Sequence, residues 1–220
     1  MTGFLLINKP ENWTSHDVVA YLRKITHIKK IGHAGTLDPF ATGLLIVAVG
    51  RESTKRLDEF KNLNKTYNAT IHLGAVTDTF DKTGIITAVS EKTIPLEQIQ
   101  MIIKNFIGRQ EQLPPMYSAK KIAGKKLYEL ARKGIEIERK SNTITIFDLK
   151  ILDYSFPILH IQIHCSPGTY IRTLAHDIGQ ALQVGAYCQS LERSAIGEFS
   201  LQQGMNIENF SKDNWKNFLL

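Results

Sequence analysis

The chain has 220 residues and is 43% hydrophobic, enough for one sizeable core or two small ones and too apolar for a disordered chain. Its 27 lysines and arginines outnumber 21 acids, for a formal charge of +6, so a polyanionic partner is expected on electrostatic grounds. The start MTGFLLINKP lacks the charged head and long apolar segment of a secretory signal, and no later run reaches membrane-spanning length. A cytoplasmic protein with no membrane contact is therefore expected.

In chain order, Phe4 to Ile7 predicts a short buried strand ended by Lys9 and Pro10, and Thr14 or Ser15 caps a helix with Val18, Leu22 and Ile25 on one face. Leu44 to Val49 is a continuous apolar run bounded by glycines, the mark of a strand buried on both faces. From Thr66 to Leu73 the residues alternate, with Tyr67, Ala69, Ile71 and Leu73 on the apolar face. Asp81 to Gly84 is a turn into IITAV, Pro95 opens a helix stopped near Gly108, and LYELARKG forms another. TITIFDLKIL and LHIQIHC alternate as strands, and TYIRTLAHDIGQAL carries the helical stripe Ile171, Leu174, Ile178 and Leu182. Beyond Gly204 the polar sequence with scattered aromatics predicts a peripheral tail or short helix. The order of elements predicts an α+β fold with a mixed, largely antiparallel central sheet flanked by helices, in a single domain over residues 1–220.

The most informative stretch is HAGTLDPFATG, His33 to Gly43, which presents one carboxylate, Asp38. Gly35 and Gly43 permit backbone angles closed to other residues, while Pro39 fixes its own φ and biases Asp38 toward an extended conformation. Asp38 is thereby aimed, although an ordinary Asp-Pro turn has the same local chemistry.

The eleven-residue string resembles the catalytic signature of the TruB family of pseudouridine synthases. GFLLINKPENWTSHDVV, KTYNATIHLGAVTDTFDKTG, PPMYSAKKIAGKKLYELARKG and CSPGTYIRTLAHDIG resemble that family's other blocks, in its order, so the resemblance spans nearly the whole chain. It implies the pseudouridine synthase fold and an isomerase that flips a uridine out of the T-loop of tRNA, cleaves its glycosidic bond and rejoins C5 to C1′, without a cofactor or metal. By resemblance Asp38 is the essential carboxylate, and attack at C1′, addition at C6 and abstraction of a sugar proton are all open to it. Arg172, in GTYIR, is by resemblance the cation expected to keep the essential carboxylate, Asp38, ionised and to fix its orientation; spacing alone makes it an ordinary arginine of a first helical turn. Tyr67 is by pattern a core aromatic and by resemblance a base-stacking residue whose hydroxyl helps remove the C5 proton. His33 is expected to pack on the rearranged loop, and Tyr170 and Leu191 to line the base pocket; a backbone hydrogen bond and simple core packing are the plain alternatives for His33 and Leu191. Asp81 joins this network or merely caps a turn, and is left out of the catalytic set.

Three basic clusters are candidate phosphate contacts: KKIAGKK with Arg132 and Lys133, in which Lys125 and Lys126 are the substrate-binding candidates; Arg23 to Lys30; and Lys61 to Lys65. Family members commonly carry a C-terminal RNA-binding domain of the PUA type, and a catalytic core without it is expected here. Glu192 stands where relatives often carry arginine. The expected partner is the tRNA T-stem-loop, bound by a monomer with no obligate protein partner. A guide-RNA-directed relative and an RNA-binding module with vestigial activity are the rivals, the second disfavoured by Asp38, Tyr67 and Arg172 occurring together. Other chemistries lack their motifs: Cys165 and Cys188 show no paired spacing, His160 and His164 alternate along a strand outside any metalloprotease pattern, Ser118 and Ser166 have no nucleophile-elbow context, and no phosphate-binding or dinucleotide loop follows a strand.

Overall fold

The structure is a computed structural model that describes residues 2–118, 121–122, 124–131 and 134–220, the side chains of Lys121, Ile122, Lys125 and Lys126 excepted. Its elements in order are β1 (Gly3–Lys9), α1 (Ser15–Thr26), β2 (Ile31–Ala34), β3 (Thr42–Val49), α2 (Arg51–Lys55), α3 (Leu57–Lys61), β4 (Lys65–Leu73), β5 (Ala75–Thr77), β6 (Ile86–Ala88) and α4 (Leu96–Lys104). Then come β7 (Gly108–Gln112), β8 (Lys121–Ile122), β9 (Lys125–Lys126), α5 (Leu127–Ala131), β10 (Asn142–Ser155), β11 (Ile158–Cys165), α6 (Ile171–Ala181), β12 (Ala186–Ile196), β13 (Phe199–Ser200) and β14 (Met205–Asn206). Among the described strand pairs most are antiparallel, while β1 with β14 and β3 with β12 run parallel. The expected α+β class with a mixed, largely antiparallel sheet is what forms. Two compact units divide the chain, residues 1–68 with 191–220 and residues 69–190.

In the first unit, β1 and β3 pair antiparallel from Gly3 with Val49 to Lys9 with Gly43, and β2 lies on the other edge of β3 from Ile31 with Val49 to Ala34 with Ile46. Alternate residues of β1 and β3 enter opposite cores. Leu5, Ile7, Leu45, Val47 and Val49 pack with Val18, Val19 and Leu22 of α1, while Phe4, Leu6, Leu44, Ile46 and Ala48 pack with Leu57 and Phe60 of α3. Burial on both faces explains the unbroken apolar run of β3. Each such side chain contributes about 1.5–3 kcal/mol by leaving water. Thr14 caps α1 through a reciprocal capping box with Asp17, an arrangement worth about 1 kcal/mol.

The end of the chain differs from expectation. Ile207, Phe210 and Trp215 are buried in the same core as α1, and β14 pairs in parallel with β1, Ile7 opposite Met205. Their spacing has no helical or strand period because Ile207 and Trp215 each open a 3-10 turn, Ile207–Asn209 and Trp215–Phe218, and Phe210 follows the first of these.

In the second unit β10 pairs antiparallel with β11 and with β7, and β6, the strand after the Asp81 to Gly84 turn, pairs with the short β5. The stripe Ile171, Leu174, Ile178 and Leu182 of α6 is buried, as are Ile99 and Ile103 of α4.

Candidate active site

Asp38 lies in the loop that connects β2 and β3, at the closed end of that hairpin. The carboxylate is half-exposed, while Leu37, Phe40 and Ala41 around it are buried. Three fixtures hold the loop. The hydroxyl of Ser15, at the start of α1, accepts from the Leu37 N–H at 2.9 Å; the Ala41 N–H donates to the Asp38 carbonyl at 3.1 Å, and the Asn12 N–H to the Pro39 carbonyl at 2.8 Å. The Asp38 side chain is thus displayed on backbone whose neighbours cannot shift without losing buried contacts.

Two buried cations brace this loop, and the sequence pattern made neither of them functional. Lys9 is 0% exposed, and its Nζ donates to the carbonyls of Pro10 at 2.7 Å, Trp13 at 2.6 Å and Pro39 at 3.4 Å. Burial pulls its pKa down to about 8, opposed by the Asp38 charge, so at neutral pH Lys9 stays cationic. Arg193, on β12, is 1% exposed; its Nε donates to the Leu44 carbonyl at 2.8 Å and its Nη2 to the Gly35 carbonyl at 3.1 Å. One guanidinium therefore ties together both ends of the Asp38 loop. Its backbone pairs with Gly43, where φ is +105° and a Cβ would stand 2.5 Å from the Arg193 carbonyl oxygen. Only glycine fits that crossing.

His33, the last residue but one of β2, is half-buried, with the His16 ring edge-on at 5.4 Å. Burial, with help from the His16 charge, lowers its pKa to about 4, so the imidazole is neutral at physiological pH and offers a flat, uncharged face. Tyr67 is 9% exposed on the apolar face of β4, and Leu191 is 6% exposed on β12. Glu192, beside Leu191, accepts from the Asn68 amide at 3.2 Å.

In the second unit Tyr170 is the N-cap of α6. Its N–H donates to the Gln112 side-chain oxygen at 2.8 Å, and the Gln112 amide donates back to the Tyr170 carbonyl at 3.0 Å. This clamp sets the first turn of α6 and with it Arg172, which is 3% exposed. The guanidinium of Arg172 binds Asp81: Nη1 stands 3.2 Å from Oδ2, Nη1 also donates to the Thr79 carbonyl at 3.0 Å, and Nη2 to the Tyr117 carbonyl at 2.8 Å. Arg172 is thus no ordinary helix-surface arginine. Asp81 pairs with Arg172 and also caps its own turn, because its Oδ1 accepts from the Thr83 N–H at 2.9 Å and the Thr79 hydroxyl at 2.9 Å. The side chains of Lys125 and Lys126, and all of Arg132 and Lys133, lie outside the described residues.

In the Lys61–Lys65 cluster both lysines have partners within the protein. Lys61 is paired with Asp58 at 2.8 Å, and Lys65 is 6% exposed with its Nζ bound to the carbonyls of Phe60, Lys61 and Leu63. Lys65 closes the turn after α3. His160 and His164 do share one face of β11, the first hydrogen-bonded to Thr70 at 3.1 Å. Among the described residues no group of three or more His, Cys, Asp or Glu side chains is placed to hold a metal ion, and no helix is long and apolar enough to cross a membrane.

A family model described as TruB family pseudouridylate synthase (N terminal domain) matches residues 23–171, more than half of the chain. The chain belongs to the TruB family of pseudouridylate synthases. Within the TruB family it is 43% identical over 221 residues to the tRNA pseudouridine synthase B of Clostridium tetani, spanning 100% of this chain and 76% of that one. It is 47% identical over 201 residues to the protein of the same name from Chlamydia abortus, spanning 91% of this chain and 85% of that one. Its structure is similar to a chain in the crystal structure of a Cbf5-Nop10-Gar1 complex, with a TM-score of 0.76, 28% identity and coverage of 97% of this chain and 55% of that one. It is also similar to a chain of an H/ACA RNP bound to a substrate RNA containing 2'-deoxyuridine, at a TM-score of 0.72 and 26% identity, again over 55% of that chain. This TruB family chain therefore spans about half the length of those solved chains.

Proposed function

We propose that the chain converts uridine to pseudouridine in the T-loop of tRNA, acting as a cytoplasmic monomer and a single catalytic domain without a cofactor. The observation that carries this reading is Asp38 itself, half-exposed in a loop whose backbone is anchored by Ser15, Lys9 and Arg193. The reaction breaks C1′–N1, forms C5–C1′ and moves the C5 proton away, so it is redox-neutral. A fixed carboxylate supplies its start by attack at C1′, addition at C6 or abstraction of a sugar proton. The target base must leave its stack, at a cost of roughly a few kcal/mol, and the neutral His33 face, Tyr67, Tyr170 and Leu191 are the side chains assigned to receive it and the loop it leaves. Arg172 holds the geometry of residues 79–81, and Lys125 and Lys126 are assigned to backbone phosphates.

Incubating the purified chain with unmodified tRNA and mapping the product tests the reading. Pseudouridine at a single T-loop position is expected; no product, or product elsewhere, defeats it. The likeness to the chain of the Cbf5-Nop10-Gar1 complex favours a second reading, in which the chain works only within a ribonucleoprotein. Turnover of bare tRNA by the chain alone decides against that reading.

Tyr67→Phe separates stacking from proton transfer. The ring that packs on the face of β4 is retained while the hydroxyl is lost, so tRNA affinity should stay within about twofold and turnover fall by roughly 10²- to 10⁴-fold, the range for a lost acid-base group. Parallel loss of affinity and turnover would leave Tyr67 a stacking role only.

A further inference from the structure

Between Asp17 and Asp38 the sequence contains no acid, yet it places Arg23, Lys24, His27, Lys29 and Lys30 within eight residues. All five side chains are exposed. Among the described residues none of them is in an ion pair, whereas three cations further along the chain, Lys55, Arg56 and Lys61, are neutralised by acids three residues away, Glu52, Glu59 and Asp58. The helix dipole accounts for Arg23 and Lys24, which lie in the last turn of α1. It does not account for Lys29 and Lys30, which follow the cap.

The backbone gathers these charges. His27 ends α1 in the left-handed region at φ 57° and ψ 18°, its N–H bonded to the Arg23 carbonyl at 3.0 Å, a conformation that glycine adopts with less strain. The chain reverses there, and Arg23, His27, Ile28 and Lys29 line an open cleft of about 340 Å³. Arg23 is fixed at the cleft by its Nη2, which donates to the Ile31 carbonyl at 3.1 Å. Like charges held together without counter-charge repel one another, a cost that a polyanion removes.

The cluster also stands in a defined relation to Asp38. Lys30 leads directly into β2, whose four residues span about 13 Å, and the far end of β2 opens the Asp38 loop. Duplex RNA displays phosphates along its whole length, so an arm whose loop nucleotide enters at Asp38 would present several of them over such a distance. We propose that this cleft and its rim are a second RNA contact, binding backbone phosphates of the double-helical arm beside the extruded nucleotide. The inference rests on the proposed RNA substrate but not on the chemistry at Asp38.

The test compares two triple variants with equal change in net charge. Lys24→Gln/Lys29→Gln/Lys30→Gln removes the patch; Lys92→Gln/Lys212→Gln/Lys216→Gln removes three exposed lysines elsewhere. Binding of unmodified tRNA is measured from low to moderate salt. The patch variant should bind about tenfold more weakly near 0.1 M salt and lose about two units of the log Kd against log salt slope, with kcat at saturating tRNA unchanged. The control should stay within about twofold. Unchanged binding in the patch variant, equal losses in both triples, or a fall in kcat with unchanged Kd would each overturn the proposal. A wild-type chain that binds tRNA and isomerises nothing would sink the proposed reaction while leaving this comparison to stand.

Discussion

Asp38→Asn should abolish isomerisation, lowering turnover by roughly 10⁴-fold or more, the scale of losing a group that begins covalent chemistry, with tRNA affinity held to within a few-fold. The loop is fixed by backbone and by other residues: Ser15 to Leu37, Lys9 to Pro39, Arg193 to Gly35 and Leu44. Asparagine keeps the shape of the side chain and leaves those bonds intact. What it removes is the carboxylate charge and the electron pair that any of the three routes requires. Single-turnover assays with labelled tRNA, beside a direct binding measurement, read the two effects separately. A variant that turns over at a substantial fraction of the wild-type rate would displace Asp38 from the reaction.

Much of this arrangement was legible before any coordinate. Segments whose burial follows one clean period, such as α1, α6, β4 and the β10–β11 hairpin, announce themselves because neighbouring side chains meet the same environment at regular intervals. Asp38 was legible for a different reason, since the glycines and proline around it record the backbone angles of one particular loop. The C-terminal turns were illegible: Ile207, Phe210 and Trp215 enter the core from 3-10 turns and irregular chain, so their spacing matches no period.

Buried cations were the systematic blind spot. Lysine and arginine read as surface residues because removing a bare charge from water is costly. Lys9, Lys65 and Arg193 escape that rule by giving their N–H donors to backbone carbonyls. Arg193 also hid its strand, because AYCQSLERSAI carries adjacent opposite charges where an alternating apolar pattern was sought. The same reasoning turned Lys61 to Lys65 into a phosphate contact, when Lys65 is spent within its own turn. No pattern of residue types distinguishes a lysine that faces phosphates from one that faces carbonyls; the positions of the carbonyls decide it.

Arg172 shows how far such an inward cation can matter, and its substitution carries the second large expected effect. Its fork makes two kinds of contact at once, to the Asp81 carboxylate with the Thr79 carbonyl and to the Tyr117 carbonyl. Arg172→Met should destabilise the fold by roughly 3–5 kcal/mol, because Asp81 would be left buried without its cation. Denaturant midpoints measure that loss. Arg172→Lys retains the charge, so most of that penalty is avoided, yet a single ammonium cannot span the same set of acceptors. Residues 79–81 and the start of α6 would then settle into a slightly different arrangement, and turnover should fall roughly 10²-fold, the scale of an ångström-sized misplacement. A lysine variant that is nearly as stable as the wild type but slow would place Arg172 in the positioning of the reaction. A lysine variant that is both stable and fast would confine the arginine to holding its turn.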